Sequence, residues 1–149
     1  MNHEKLKVLI VDDEELARKM LLTGADWNAM NMEITGEAVS GQDALSAMEE
    51  QLPDILFTDI KMPYMDGMEL CNIVTRKYPH IKIVITTAFK DFDYAHQCIT
   101  LGVSHFLLKP INRDDLISTL LKLREQIERE RQQWLEVDHL REIIKKNFA

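Results

Sequence analysis

No apolar run in the 149-residue chain approaches the length that a membrane-spanning helix needs, which is ~20 residues. The opening stretch MNHEKLKVLIVDDEE is charged and too short in apolar length to act as a secretion signal. Cysteine is scarce, and Cys71 and Cys98 lie in separate segments without metal-ligand spacing. Without a secretion signal they are expected to be reduced, buried thiols in a cytoplasmic protein that does not engage a membrane. Basic clusters are missing from the first hundred residues, and the net charge is -7. Tight nucleic-acid binding needs several Lys or Arg aimed at phosphates, so any contact with DNA belongs to another part of the molecule. No Gly/Ser/Thr-rich loop follows the first apolar run to cradle a flavin phosphate. Repeats and low-complexity segments are absent as well. His3, His80, His96, His105 and His139 show no metal spacing and are assigned to surface or packing roles.

The hydrophobic share of 46% and charged share of 29% suit one ordinary domain with its own core. Apolar runs at Lys7–Val11, Ile55–Thr58, Ile81–Thr87 and His105–Leu108, with a weaker one at Glu33–Val39, are continuous rather than alternating. That pattern marks strands buried on both faces of a parallel sheet. Helical stripes lie between them: Leu16, Met20 and Leu21; Leu45, Met48 and Leu52 before Pro53; Leu70, Ile73 and Val74 before Pro79; and Tyr94, Ala95, Cys98 and Ile99 closed by Gly102. Five strand–helix units with short links predict a right-handed, doubly wound α/β sheet. The last helix finds no stop signal from Asp114 almost to the end. Apolar residues recur there at Leu116, Leu120, Leu123, Ile127, Trp134, Val137 and Ile144, a four-three spacing that suits a coiled-coil seam.

Open parallel sheets collect ligands at the carboxyl ends of their strands. Asp12 and Asp13 follow the first strand, Asp59 ends the third, Thr87 ends the fourth, and Lys109 follows the fifth. Alone, each has an ordinary explanation as a turn residue, a helix cap, a β-branched strand residue or a solvated lysine. Together they place three carboxylates, a hydroxyl and an ammonium on one rim. Two like charges ~4 Å apart repel by about 4 kcal/mol at an effective dielectric near 20, so a pKa rises or a cation enters. All-oxygen ligands with open positions suit Mg²⁺. A lysine and a threonine beside them suit the remaining phosphoryl oxygens, and the carboxylate facing the group is then the nucleophile.

The stretches VDDE (Val11–Glu14), TDIKMPYMDG (Thr58–Gly67), TTA (Thr86–Ala88) and LLKP (Leu107–Pro110) resemble the receiver domain of bacterial two-component response regulators, from Lys7 to about Leu123. The resemblance implies a flavodoxin-like five-stranded parallel sheet of order 2-1-3-4-5 with an extended C-terminal helix. It also implies a phosphoryl group taken by Asp59 from a sensor histidine kinase or a small acyl phosphate. Asp12, Asp13, Asp59 and the backbone carbonyl of Lys61 would hold Mg²⁺. Lys109 would bind phosphate through a side chain next to a cis Lys109–Pro110 bond. Thr87 and Phe106 would form the switch that alters the face made by the fourth helix, fifth strand and fifth helix. The family varies the positions two after the acceptor and two after the switch threonine, which here are Lys61 and Phe89. Lys61 is expected to pair with the carboxylates and Phe89 to shield the acyl phosphate, giving slow self-dephosphorylation and no other catalysis.

Leu21–Met30 and Lys90–Ile111 resemble the subgroup whose receiver precedes a linker and an AraC-type DNA-binding region. The expected organisation is therefore a receiver over residues 1–124 and a helical, coiled-coil extension over 125–149. It would dimerise through Leu120, Leu123, Ile127, Trp134 and Val137, with an output domain outside this sequence. The rival readings are a degenerate receiver used only for protein contacts and a phosphatase with an aspartyl nucleophile. The latter usually carries a general acid two residues after its nucleophile, where this chain has Lys61.

Overall fold

In the computed structural model, which describes residues 4–103 and 105–148, each apolar run forms a strand. The strands are β1 (Leu6–Val11), β2 (Met32–Ala38), β3 (Ile55–Asp59), β4 (Lys82–Ala88) and β5 (His105–Lys109). All pair in parallel in the order β2-β1-β3-β4-β5. The helices are α1 (Glu15–Thr23), α2 (Gly41–Glu50), α3 (Gly67–Lys77), α4 (Phe92–His96) and α5 (Arg113–Phe148). His3 lies outside the described residues.

Alternate strand residues feed two cores, as parallel strands covered on both faces require. Leu9, Val11, Leu56, Ile83 and Ile85 pack toward α2, α3 and α4, joining Met48, Leu70, Val74, Ala95 and Cys98. Val8, Ile10, Ile55, Phe57 and Val84 pack toward α1 and α5, joining Leu21, Leu116, Leu120, Leu123 and Ile127. Trp27 plugs this second core edge-on to Phe57 at 5.9 Å and satisfies its indole N–H on Leu21 O and Leu22 O. β2 carries one extra residue, because Val8 pairs with Ile34 and Leu9 with Gly36.

The helices depart from the expected stripes in four places. On α1 only Leu21 enters the core, while Leu16 is 69% and Met20 47% exposed beside the Lys109–Pro110 turn. α2 stops at Glu50, which leaves Leu52 outside the helix and in solvent. The fourth helical segment is a short 3₁₀ turn (Phe89–Asp91), the five-residue α4 and a second 3₁₀ turn (Gln97–Leu101), and Ile99 faces outward. Gly102 ends it at φ 94°, with Gly102 N–H bonded to Ile99 O and Val103 N–H to Cys98 O, a Schellman closure. Both cysteines are free thiols buried in the first core, where α3 meets this segment.

The fourth departure concerns α5. It begins after Asn112, whose side chain accepts from Asp114 N–H at 2.7 Å. Its first four turns lie on the sheet, so Leu120, Leu123 and Ile127 are buried within the chain itself and cannot form the dimer seam assigned to them. Lys82 Nζ pairs with Glu130 Oε1 at 2.7 Å and Arg131 Nη2 with Asp54 Oδ1 at 2.9 Å, so contact with the body runs as far as Arg131. Beyond it Trp134, Leu135, Val137, Leu140, Ile143 and Ile144 are all exposed.

Candidate functional site

Three carboxylates meet at the carboxyl edge of the sheet. Asp12 stays in line with β1 because its N–H still bonds Ala38 O at 3.0 Å, and it is 1% exposed. Its Oδ1 accepts from Glu14 N–H at 2.9 Å, the local turn that a short acidic side chain favours. Oδ2 accepts from Lys109 Nζ at 2.7 Å. Asp13, one residue on, is exposed. Asp59 ends β3 at 6% exposure, with Oδ2 3.3 Å from the same lysine nitrogen. One oxygen from each of Asp12, Asp13 and Asp59 lies within 4.8 Å of the others. Hard oxygen donors at that spacing, open on the Asp13 side, fit a Mg²⁺ ion.

The loop after β3 folds back so tightly that Gly67 is required there. Its N–H bonds Ile60 O at 2.9 Å, and a Cβ on Gly67 would collide with the Asp59 carbonyl oxygen. Asp66 caps α3 by accepting from Glu69 N–H at 3.0 Å. Lys109 precedes Pro110 across a cis bond, as the resemblance implies.

Burial has the largest influence on Asp59 and raises its carboxyl from the usual 3.8 to about 6. Lys109 pulls it back and Asp12 adds a further upward push. For Lys109 burial pulls downward, but the hydrogen bond to Asp12 and the two carboxylate charges outweigh it, so the net shift is upward and the ammonium stays charged.

The other expected residues make contacts of their own, separate from this cluster. Thr87 is fully buried, its hydroxyl donating to Ala88 O at 3.1 Å. Phe106 pairs with Ile85 across the sheet and is half-buried, its ring 6.0 Å from that of His96, so it is not sealed in the core. Phe89 opens the first 3₁₀ turn and is 84% exposed. Lys61 does not pair with the carboxylates as expected. Its ammonium lies 4.3 Å from the centroid of the Tyr94 ring, because Tyr94 holds the loop toward α4 by donating to Asp66 Oδ2 at 2.6 Å.

Two contributors escape sequence reading. Arg18 Nη1 donates to Asp12 O at 2.8 Å while Nε reaches Glu37 Oε1 at 3.1 Å, which pins the turn bearing Asp12 and Asp13. Helix phase places Arg18 near that turn, but nothing in the sequence places Glu37 beside it. Tyr94 is the other, and no spacing links it to Asp66.

The fold has its counterpart in known proteins. Residues 8–121 match the response regulator receiver domain family. The chain is 32% identical over 124 residues to the transcriptional regulatory protein YesN of Bacillus subtilis, covering 83% of this chain and 34% of that protein. It is 40% identical over 125 residues to the transcriptional regulatory protein BtsR of Salmonella typhimurium, covering 81% of this chain and 49% of that protein. The receiver domain of AraT, a response regulator from Geobacillus stearothermophilus, superposes with a TM-score of 0.81 at 37% identity, covering 85% of this chain and 98% of that one. The chain belongs to the response regulator receiver domain family. It spans less than half the length of the two curated relatives.

Proposed function

We propose that this chain stores a signal as a phosphoryl group on Asp59. The observation that carries the reading is the buried Asp59 carboxylate, held within 4.8 Å of the Asp12 and Asp13 oxygens and bridged to Asp12 by Lys109. In the transfer, an Asp59 oxygen forms a bond to phosphorus while the bond from phosphorus to the donor breaks. The donor is a phosphohistidine nitrogen of a sensor kinase or the carboxylate of a small acyl phosphate. Lys109 neutralises charge gathering on the phosphoryl oxygens, and the Thr87 hydroxyl exchanges Ala88 O for one of those oxygens. Asp12, Asp13, Asp59 and the Lys61 carbonyl are the groups that would hold Mg²⁺, which when bound offsets the crowded negative charge. The shifts of Thr87 and Phe106 would then bias the α4-β5-α5 face. Phe89, at the second position after Thr87, is proposed to cover the acyl phosphate and slow its hydrolysis.

Exposure of the chain to acetyl phosphate with Mg²⁺, followed by intact mass measurement, is expected to show one added phosphoryl group on wild type and none on Asp59→Asn. Labelling of Asp59→Asn to the same extent would overturn the assignment. The exposed Leu16 and Met20 on α1 and Ile111 after β5 line a pocket of about 280 Å³ that also contains Asp12 and Lys109. This apolar rim is the proposed landing face for the kinase segment that carries the donor histidine.

The receiver unit is proposed to end near residue 124 and the helical extension to begin at 125, its first residues still fastened to the body as far as Arg131. Two copies would pair through the exposed stripe of Trp134, Val137, Leu140 and Ile144. A DNA-binding output region joined to α5 and a cytoplasmic setting complete the reading. Its support is the transcriptional regulators among the relatives, together with the lack of any described helix long and apolar enough to cross a membrane.

A further inference from the structure

A single side chain ties the loop after the phospho-acceptor strand to α4. Tyr94 Oη donates to Asp66 Oδ2 at 2.6 Å, using the carboxylate oxygen that is not engaged in capping α3. The bond to Asp66, reinforced by burial, pushes the phenol up to about 12, so it remains a donor throughout the neutral range. The face of the same ring receives the Lys61 ammonium, 4.3 Å from its centroid. Lys61 stands two residues after Asp59, on an exposed stretch of loop beside three clustered carboxylates. Only the Lys109 ammonium is in salt-bridge contact with Asp12 and Asp59 among the described residues. A second mobile ammonium would be drawn to such a cluster, and a lysine on a flexible stem is suited to reach it. It lies on the aromatic ring instead, and the ring is fixed by its own hydrogen bond.

We infer that Tyr94 is a positioning residue that holds the Lys61 ammonium on its ring and so keeps that charge from competing with a divalent cation for the carboxylates of Asp12, Asp13 and Asp59. The inference rests on the reading of those carboxylates as the metal site. The backbone carbonyl of Lys61 is a proposed ligand while its side chain is a proposed competitor, and Tyr94 separates the two roles. Neither role is available to a ring that merely fills space, because the contacts used are the π face and the phenol oxygen.

The test is calorimetric titration of Mg²⁺ into the whole chain: wild type, Tyr94→Leu, Tyr94→Phe, Lys61→Gln and the double variant Lys61→Gln/Tyr94→Leu. Tyr94→Leu is expected to weaken Mg²⁺ binding roughly fivefold as Lys61 moves to the carboxylates. Tyr94→Phe keeps the π face but loses the bond that fixes the ring, and is expected to fall between wild type and Tyr94→Leu. In the Lys61→Gln background, Tyr94→Leu is expected to change nothing. An unchanged affinity in Tyr94→Leu overturns the inference, and so does an equal loss in both backgrounds, which would mean that the ring only props up the loop. Absence of Mg²⁺ uptake by wild type overturns the metal-site reading and this inference with it. Tyr94→Met, of similar length and unbranched, replaces the leucine variant if that variant does not fold.

Discussion

Asp59 holds its proton more tightly in the folded chain than in the unfolded one, since its carboxyl is raised from 3.8 to about 6, chiefly by burial. The stabilising contribution of the protonated group is therefore complete below about pH 4 and is lost as pH rises through about 6. In metal-free protein near neutral pH the ionised group then costs at most roughly 3 kcal/mol. Asp59→Asn is expected to remove that part of the pH dependence and to exceed wild type in stability by roughly 1–3 kcal/mol at about pH 7. Denaturant melts from about pH 4 to 8 in chelator check this, and an unchanged slope in the variant would count against it. Gly67→Ala drives a methyl into the Asp59 carbonyl and is expected to cost roughly 2 kcal/mol or more, with slower phosphorylation because the acceptor's own peptide is displaced. Thermal melts and phosphorylation rates measure the two effects. At this scale the meeting of Asp12, Asp13, Asp59 and Lys109 was legible because strand ends in a parallel sheet converge by topology. Lys61 was misjudged because its partner, Tyr94, arrives from a distant helix whose packing no local spacing encodes.

Among the elements, α5 shows how one periodicity can serve two ends. Leu120, Leu123 and Ile127 continue the same four-three spacing as Trp134 and Val137, yet the first three are sealed against the sheet and the last two face solvent. Spacing alone does not tell an intramolecular seam from an intermolecular one, since both want an apolar stripe every third or fourth residue. Leu120→Ala is expected to destabilise the fold by roughly 3 kcal/mol. Trp134→Ala is expected to leave the stability of the isolated chain within about 0.5 kcal/mol while lowering the weight-average mass in sedimentation. Sedimentation of wild type, Trp134→Ala and a chain ending at Leu123 each at its own monomer mass would remove the dimer. α1 gives the complementary lesson: Leu16 and Met20 read as core by their phase, but the helix presents them to the rim of the acidic site. α4 was expected as one stripe and is divided, because only Ala95 and Cys98 reach the core before Gly102 reverses the chain.

For the molecule as a whole, the parallel direction followed from five continuous apolar runs alternating with helices and the strand order from the resemblance to receiver domains, and the structure has both. The points where α5 is fastened to the amino edge of the sheet were not legible, because they join Lys82 to Glu130 and Asp54 to Arg131 across long stretches of chain. Partly exposed ion pairs contribute little, so Glu130→Gln with Arg131→Gln is expected to cost less than about 1 kcal/mol in global stability. The same pair of changes is expected to speed amide exchange over residues 124–131, and hydrogen-exchange mass spectrometry reads it. The helix leaves the body at Arg131 and runs on to Phe148, about 26 Å at the usual helical rise. A rod of that reach is a lever with its fulcrum at two weak ion pairs: a tilt of about 10° there would swing the far end by roughly 4–5 Å. Small rearrangements beneath α5 would thus leave the sheet magnified into a displacement as wide as a side chain.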